Sequence, residues 1–435
     1  MVMPNSEEMT EDGQQIKARV QFITKHEELR VAETPFAIPV SLGRAGMSEV
    51  INHFLELETP QSFDFLIQNR LVRTSLKKFI RTYQLNTEDV IVIEYMPAIS
   101  LSDEGQTVDA PAWVGSLVLD HCNNVIAGCY DGQIQVLNEK KDIVSSVQLH
   151  QEPIRCMTMF SDSSAKYLAT ASKDQTIKYW KIDNQKAGKK STYSVVQYSN
   201  LSGHVNSVES LTYNNDGIIL SGDYNGNIFG WSTTINADNV EETSVKKKSK
   251  GNKGGNNPSV VDSKPILTIR GHAQCISALL CPASNNNHLF SASWDHTLKI
   301  WDIERQDCVT TYGGGKVITS IDYSPHNNLI ATSHPDGRIR MWDTRLNSDN
   351  TSVQSFTSSS STKQWISQVK WKSNADSVFA STDYDGALRV WDIRSTAPLI
   401  TNEVHNGKAL CLLWHENVIL SGGSDCTVQY TPLVI

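Results

Sequence analysis

Serine or threonine, histidine and aspartate recur beyond residue 110 at spacings that could do chemistry. A hydroxyl stands four residues ahead of an acid at Thr170/Asp174, Ser291/Asp295, Thr332/Asp336, Ser381/Asp385 and Ser421/Asp425, with His150 and His272 upstream of two such stretches and His204 upstream of Ser221, where the turn residue is Asn225. A hydroxyl, an imidazole and a carboxylate are the parts of a nucleophilic acyl-transfer site. An active site forms once, however, and this pattern repeats; no G-x-S-x-G elbow accompanies it. Gly313–Lys316 (GGGK) has Val317 where a phosphate loop needs a hydroxyl to reach the metal, and reads as a glycine-rich turn. The eight cysteines form no C-x-x-C pair and have no histidine at zinc spacing, as expected of buried thiols in a reducing compartment. These patterns exclude an enzyme and leave a structural role for the recurring polar residues.

The elements that carry them are repeats. Small residues, an acid or amide, a turn residue and an apolar alternation recur at AGCYDGQIQVL (Asp131), TASKDQTIKYW (Asp174), SGDYNGNIFGW (Asn225), SASWDHTLKIWD (Asp295), TSHPDGRIRMWD (Asp336), STDYDGALRVWD (Asp385) and SGGSDCTVQY (Asp425). Successive turn residues lie 43, 51, 70, 41, 49 and 40 positions apart, close to a propeller repeat in four of the six intervals. Asp-Gly and Asn-Gly supply tight hairpin turns, and the alternation that follows gives a strand with one buried face. Seven such units predict a seven-bladed propeller.

The pattern resembles the WD-repeat family. That resemblance implies a hydrogen-bonded network of a loop His, the Ser or Thr, the turn Asp and a Trp six residues later. It assigns His272, Ser291, Asp295 and Trp301 to the fourth copy and His150, Thr170, Asp174 and Trp180 to the second. The third copy has His204, Ser221 and Trp231 but puts Asn225 at the turn. The fifth (Thr332, Asp336, Trp342) and sixth (Ser381, Asp385, Trp391) lack the His, the first has only Asp131, and the last keeps Ser421 and Asp425 with His405.

The chain ends shortly after Tyr430, so the seventh blade is short of an outermost strand, and Tyr95–Trp113 is the free segment to supply it. Asn236–Ser263, with Lys246, Lys247, Lys248, Lys250 and Lys253 and few apolar residues, predicts a disordered basic insertion. Its lysines fit a nuclear-import or RNA-contacting tract, or a solvated loop. Asn347–Thr362 reads as a loop. Trp294, Tyr224, Tyr384 and Trp365 lie near blade turns as candidate partner anchors, but for each a rim or packing role is favoured over a partner contact, and none is taken as a site.

Residues 15–97 follow another pattern. Gln15–Thr24 and Phe36–Leu42 read as strands, Ser48–Leu57 as a helix with Ser48 as N-cap, and Phe63–Val72 as a strand pair. Ser75–Ile80 reads as a helical turn and Asp89–Tyr95 as a last strand. This is the order of a ubiquitin-like β-grasp roll. The whole reads as a mainly β chain: a disordered tail (1–14), a ubiquitin-like domain (15–97), a linker or closing strand (98–112) and a seven-bladed WD40 propeller (113–435). Thirty-nine basic against 47 acidic residues, a net charge of −8, argue against a broad nucleic-acid-binding surface. No apolar run approaches the roughly 18 residues of a membrane span, so a soluble intracellular protein is expected.

FAIPVSLGRAGMSEVINHFLE, FDFLIQNRLVRTSL and VIVIEYMPAI closely resemble the Ytm-type ribosome-biogenesis WD-repeat family, and the likeness runs over essentially the whole chain. It implies a nucleolar and nucleoplasmic assembly factor of the large (60S) ribosomal subunit, acting on its precursor particle. The implied partners are a pescadillo-type protein, a Bop/Erb-type WD-repeat protein and the midasin AAA ATPase. No cofactor of its own is implied: the Mg²⁺ belongs to the MIDAS domain of midasin. The family's metal-reaching Glu in the loop before the last strand matches Glu88, in Leu85-Asn86-Thr87-Glu88-Asp89. Taken alone, Glu88 is an ordinary exposed loop acid; the resemblance gives it the ligand role. Two other functions fit parts of the pattern: a Notchless-type assembly factor, and a WD-repeat substrate receptor of a ubiquitin ligase.

Overall fold

The computed structural model describes residues 16–57, 59–86, 89–102, 105–161, 165–187, 190–233, 240–241, 261–283, 285–313, 315–346, 352–357, 364–373, 377–395 and 397–434. The chain divides into two compact units. The first runs to Leu101 and takes in Ile393–Ser395 and Leu433–Ile435; the second holds Ser102–Asp392 and Thr396–Pro432. Among the described residues no helix is long and apolar enough to cross a membrane.

In the first unit, alternation of Ala18, Val20 and Phe22 with polar residues makes β1 (Lys17–Ile23), one face of which is buried. It is followed by β2 (Phe36–Pro39), α1 (Arg44–Leu55), β3 (Phe63–Ile67), β4 (Arg70–Leu71), α2 (Leu76–Tyr83) and β5 (Ile91–Pro97). The sheet order is β2-β1-β5-β3-β4, with β1 and β5 parallel and the other pairs antiparallel. This is the β-grasp roll. Val20, Phe22, Phe63, Phe65, Ile93 and Tyr95 face Met47, Ile51, Leu76 and Phe79 in one core. The Tyr95 hydroxyl donates to the Leu29 carbonyl and accepts from the Val31 amide, which pins the β1–β2 connection to the core.

Two local expectations change, and the expected short turn within Phe63–Val72 gains its geometry. The helix starts at Arg44 with Gly43 as N-cap, so Ser48 lies inside α1. Its buried Oγ donates to the Arg44 carbonyl (2.9 Å) and accepts from the Phe63 amide (3.1 Å), joining the helix to β3. A short polar side chain in a helix can serve such a tertiary bond as readily as a cap. The predicted helical turn after Ser75 is an eight-residue helix. Between β3 and β4, Gln68 and Asn69 both take positive φ (50° and 61°), the geometry of a two-residue hairpin turn made without glycine.

The second unit is a ring of seven sheets among the described residues. In the first blade, Val114–Leu119, Val125–Cys129, Gln133–Leu137 and Ile143–Gln148 pair antiparallel from the axis outward. The innermost strand of each blade packs against that of the next, and the last (Ala409–His415) against the first. Side chains tie neighbouring blades at one level: Ser210 Oγ donates to the Ile276 carbonyl (3.0 Å), Ser277 Oγ to Ile318 (2.6 Å) and Thr319 Oγ1 to Ile366 (2.6 Å). The apolar clusters straddle blades, which neither sheet could bury alone.

The seventh sheet is completed by Gln106–Asp109, which pairs antiparallel with Thr427–Tyr430. Within the first unit, Leu433 and Val434 pair with Leu101 and Ser100. The insertion expected to be disordered, Asn236–Ser263, and the expected loop Asn347–Thr362 both contain strands. Val261–Ser263 pairs parallel with Ser199–Leu201 and antiparallel with Val240–Glu241, adding two strands to the second blade. Gln354–Thr357 is the outermost strand of the fifth blade. Polar composition hid both, because an edge strand needs only part of one face apolar. The lysines Lys246–Lys253 and the tail 1–14 lie outside the described residues.

Candidate functional site

The recurring polar residues converge in the blades. In the second blade His150 Nδ1 lies 2.8 Å from Asp174 Oδ2, and Nε2 lies 2.8 Å from Thr170 Oγ1. The Trp180 indole donates to the same hydroxyl at 2.9 Å. The fourth blade repeats this with His272, Asp295 (2.9 Å), Ser291 (2.7 Å) and Trp301 (2.7 Å). His405 meets Asp425 (3.0 Å) and Ser421 (2.9 Å) in the seventh. A neutral imidazole satisfies every partner: Nδ1–H donates to the carboxylate, and Nε2 accepts from a hydroxyl that in turn accepts from tryptophan.

Hydroxyl, imidazole and carboxylate thus stand in the order of a catalytic triad, but the hydroxyls of Thr170, Ser221, Ser291 and Ser421 are wholly buried. No substrate carbonyl reaches them, and at Thr170, Ser221 and Ser291 an indole holds the lone pair a nucleophile would use. What the arrangement does is clamp the loop entering a blade onto its central hairpin.

Burial holds the imidazoles of His150 and His405 below the usual histidine range, against the pull of their aspartates. Burial raises the carboxyls of Asp174, Asp223, Asp295 and Asp425, but hydrogen bonds from His and from Thr or Asn outweigh it, and all four sit below the usual carboxylate range.

Three copies depart from the expected set. In the third, His204 binds Asp223 (3.2 Å) and Ser221 (2.7 Å), and Trp231 donates to Ser221 (2.8 Å). The acid is Asp223, two residues ahead of the Asn225 turn, and Asn227 Nδ2 also donates to its carboxylate (3.0 Å). In the fifth, the imidazole comes from within the blade: His334 Nε2 meets Thr332 (2.8 Å), while Asp336 pairs with Arg340 (2.7 Å). In the sixth, Trp391 donates to Ser381 (2.9 Å), and the buried acid is Asp383, paired with Arg389, not Asp385. In sequence, an acid two residues after the Ser and a basic residue in the next strand were the available signals.

Along the ring axis a cavity of about 470 Å³ is lined by the innermost strands of all seven blades and by Tyr130, Trp294, Trp365 and Tyr384, with Arg155 and Glu209 among the strand residues. Arg155 Nε donates to Glu209 (2.7 Å) and its Nη1 to the Tyr130 hydroxyl (2.7 Å). Trp365 stacks on Tyr384 with 5.6 Å between ring centres, and Tyr224 meets Trp294 edge-on at 5.9 Å. Tyr224 and Trp365 remain half exposed.

In the first unit the loop before β5 is held at both ends. Gln84 ends α2 in the left-handed conformation, the Leu85 amide returns to the Ile80 carbonyl (3.0 Å), and Leu85 packs on the core. Ile91 then enters the central strand of the sheet. Asn86 Nδ2 donates to Asp89 Oδ2 (2.8 Å) across the loop. Glu88 lies outside the described residues.

A β-grasp roll and a seven-bladed propeller whose recurring polar clusters are buried make this a two-domain WD-repeat protein. Family models place the NLE (NUC135) domain on residues 18–80 and the WD domain, G-beta repeat on 141–181, 195–232 and 263–302. A further one, the nucleolar protein 10-like N-terminal domain, matches 290–421. The chain is 30% identical to the ribosome biogenesis protein WDR12 homolog of Chlamydomonas reinhardtii, over 96% of this chain and 98% of the relative. It is 30% identical to that of Arabidopsis thaliana (96% and 98%), and 29% identical to ribosome biogenesis protein YTM1 of Saccharomyces cerevisiae (97% and 98%). The chain belongs to the WDR12/YTM1 family of ribosome biogenesis proteins.

Proposed function

We propose that this protein is a non-enzymatic scaffold of the nucleolar and nucleoplasmic large-subunit precursor, held through its propeller and released through its β-grasp domain. The propeller joins a pescadillo-type and a Bop/Erb-type protein. The β-grasp domain docks on the MIDAS domain of midasin, whose ATP hydrolysis supplies the force. Full-length similarity to WDR12 and YTM1 relatives carries this reading, which it favours over a Notchless-type factor or a ligase receptor.

Within the β-grasp domain Glu88 is the residue proposed to reach the partner's Mg²⁺. A hard octahedral cation with an open position takes a carboxylate oxygen, which adds charge and completes its shell. Two features support the choice: the loop is anchored on core residues at both ends, and the neighbouring Asp89 carboxylate is engaged by Asn86. In this reading the Mg²⁺ belongs to the partner. Affinity purification of the tagged full chain tests the reading. Recovery of the pescadillo-type protein with large-subunit precursor RNA is expected; recovery of a cullin instead would overturn it.

A further inference from the structure

The strand Gln106–Asp109 is the seam of the ring, and its position in the chain gives it a mechanical role. It is the only strand of the seventh sheet's four-strand core that does not come from the C-terminal end of the chain among the described residues. It has four register pairs: Asp109 with Thr427, Val108 with Val428, Thr107 with Gln429 and Gln106 with Tyr430. Its side chains are mostly exposed; Val108 alone is partly buried, against the apolar cluster of Val114, Leu420, Val428 and Tyr430. One side-chain bond, Thr107 Oγ1 to Gln429 Oε1 (2.7 Å), reinforces it, and Gln135 Nε2 holds the Asp109 carbonyl (3.1 Å) at its far end.

The inner strands are held otherwise. The contact of the seventh blade with the first runs through Ala409–His415 and includes Cys411 Sγ on the Val114 carbonyl (3.5 Å). Losing the outer strand therefore leaves the axial ring of contacts intact.

The chain reaches Gln106 from the first unit, so tension between the chain's two ends first meets the pairs of Ser100 and Leu101 with Val434 and Leu433 and then arrives at the Gln106–Tyr430 end of the ladder. An antiparallel strand loaded at one end is opened progressively, its hydrogen-bonded pairs breaking one after another, whereas shear would load all of them together. We propose that Gln106–Asp109 is a peelable seam: force on the β-grasp domain strips this strand from Thr427–Tyr430 before any blade unfolds. This converts a pull on one domain into loosening of the seventh blade's edge, where a partner held by that edge would lose its grip. The proposal rests on the reading that force is applied through the first unit.

Optical-tweezer pulling of the full chain by its two ends tests it without any ATPase. The expected record has an early, reversible step before the propeller unfolds, with a length gain on the order of 3.3–3.6 Å per freed residue. In Thr107→Cys/Gln429→Cys, oxidation should abolish that step and reductant should restore it. A step that persists in the oxidised, cross-linked protein would overturn the proposal, as would its absence from both the natural chain and the reduced variant. Because no partner is present, either result leaves the docking of Glu88 to be judged by its own binding measurement.

Discussion

At the scale of single residues, the polar clusters act through completeness. Ser291 accepts the Trp301 indole and donates to His272, all in a buried setting. Ser291→Ala strands an indole N–H and an imidazole nitrogen, and should cost about 1–3 kcal/mol, read as a lower urea midpoint with an unchanged slope. The clusters also set a pH dependence. His150 and His405 sit below the usual histidine range, and burial followed by the nearby Arg340 brings His334 down to about 4. The four aspartates sit below the usual carboxylate range. At all these sites the unfolded chain takes up protons at higher pH than the folded one, so acidification weakens the fold. Melting temperature should hold above about pH 6.5, fall as the histidines of the unfolded chain protonate, and fall further below about pH 4. A flat profile from pH 7 to 4 would contradict the cluster chemistry.

At the scale of elements, Ser48 shows a cap-type side chain used inside a helix. Its hydroxyl joins α1 to β3 through Arg44 and Phe63, so Ser48→Ala should destabilise the β-grasp unit by about 1–3 kcal/mol. Equilibrium unfolding followed in that unit checks it; an unchanged midpoint would assign the residue no such role. The same element marks the limit of what the sequence made legible. Alternation in Ala18–Phe22 and Phe63–Ile67 was plain because those strands bury one dense face. Ser48 looked like a cap because a cap and a buried helix-to-strand bond ask for the same side chain. Likewise His334 and Asp383 were missed because a cluster needs an imidazole or a cation in space, not at a set chain distance. Gln354–Thr357 read as a loop and Val261–Ser263 as disordered because edge strands carry little apolar signal.

At the scale of the whole molecule, the seven repeats fixed the ring, while its closing pairs link residues more than three hundred positions apart and carry no local pattern. Removing residues up to 110 should lower the propeller's melting temperature, since Val108 leaves its apolar cluster and Thr427–Tyr430 lose their pairing. Unchanged melting would show that the seam adds nothing. The two units divide the work proposed above: the ring is gripped, and the β-grasp domain is pulled. The most direct measurement is binding of the full chain to a midasin MIDAS domain by titration calorimetry, with Mg²⁺ and with a chelator, for the natural protein and for Glu88→Gln. Docking through Glu88 predicts Mg²⁺-dependent binding that the variant loses by at least a hundredfold, about 2.7 kcal/mol, with the fold intact by circular dichroism. Equal binding by the natural chain and Glu88→Gln, or binding that survives the chelator, would contradict it.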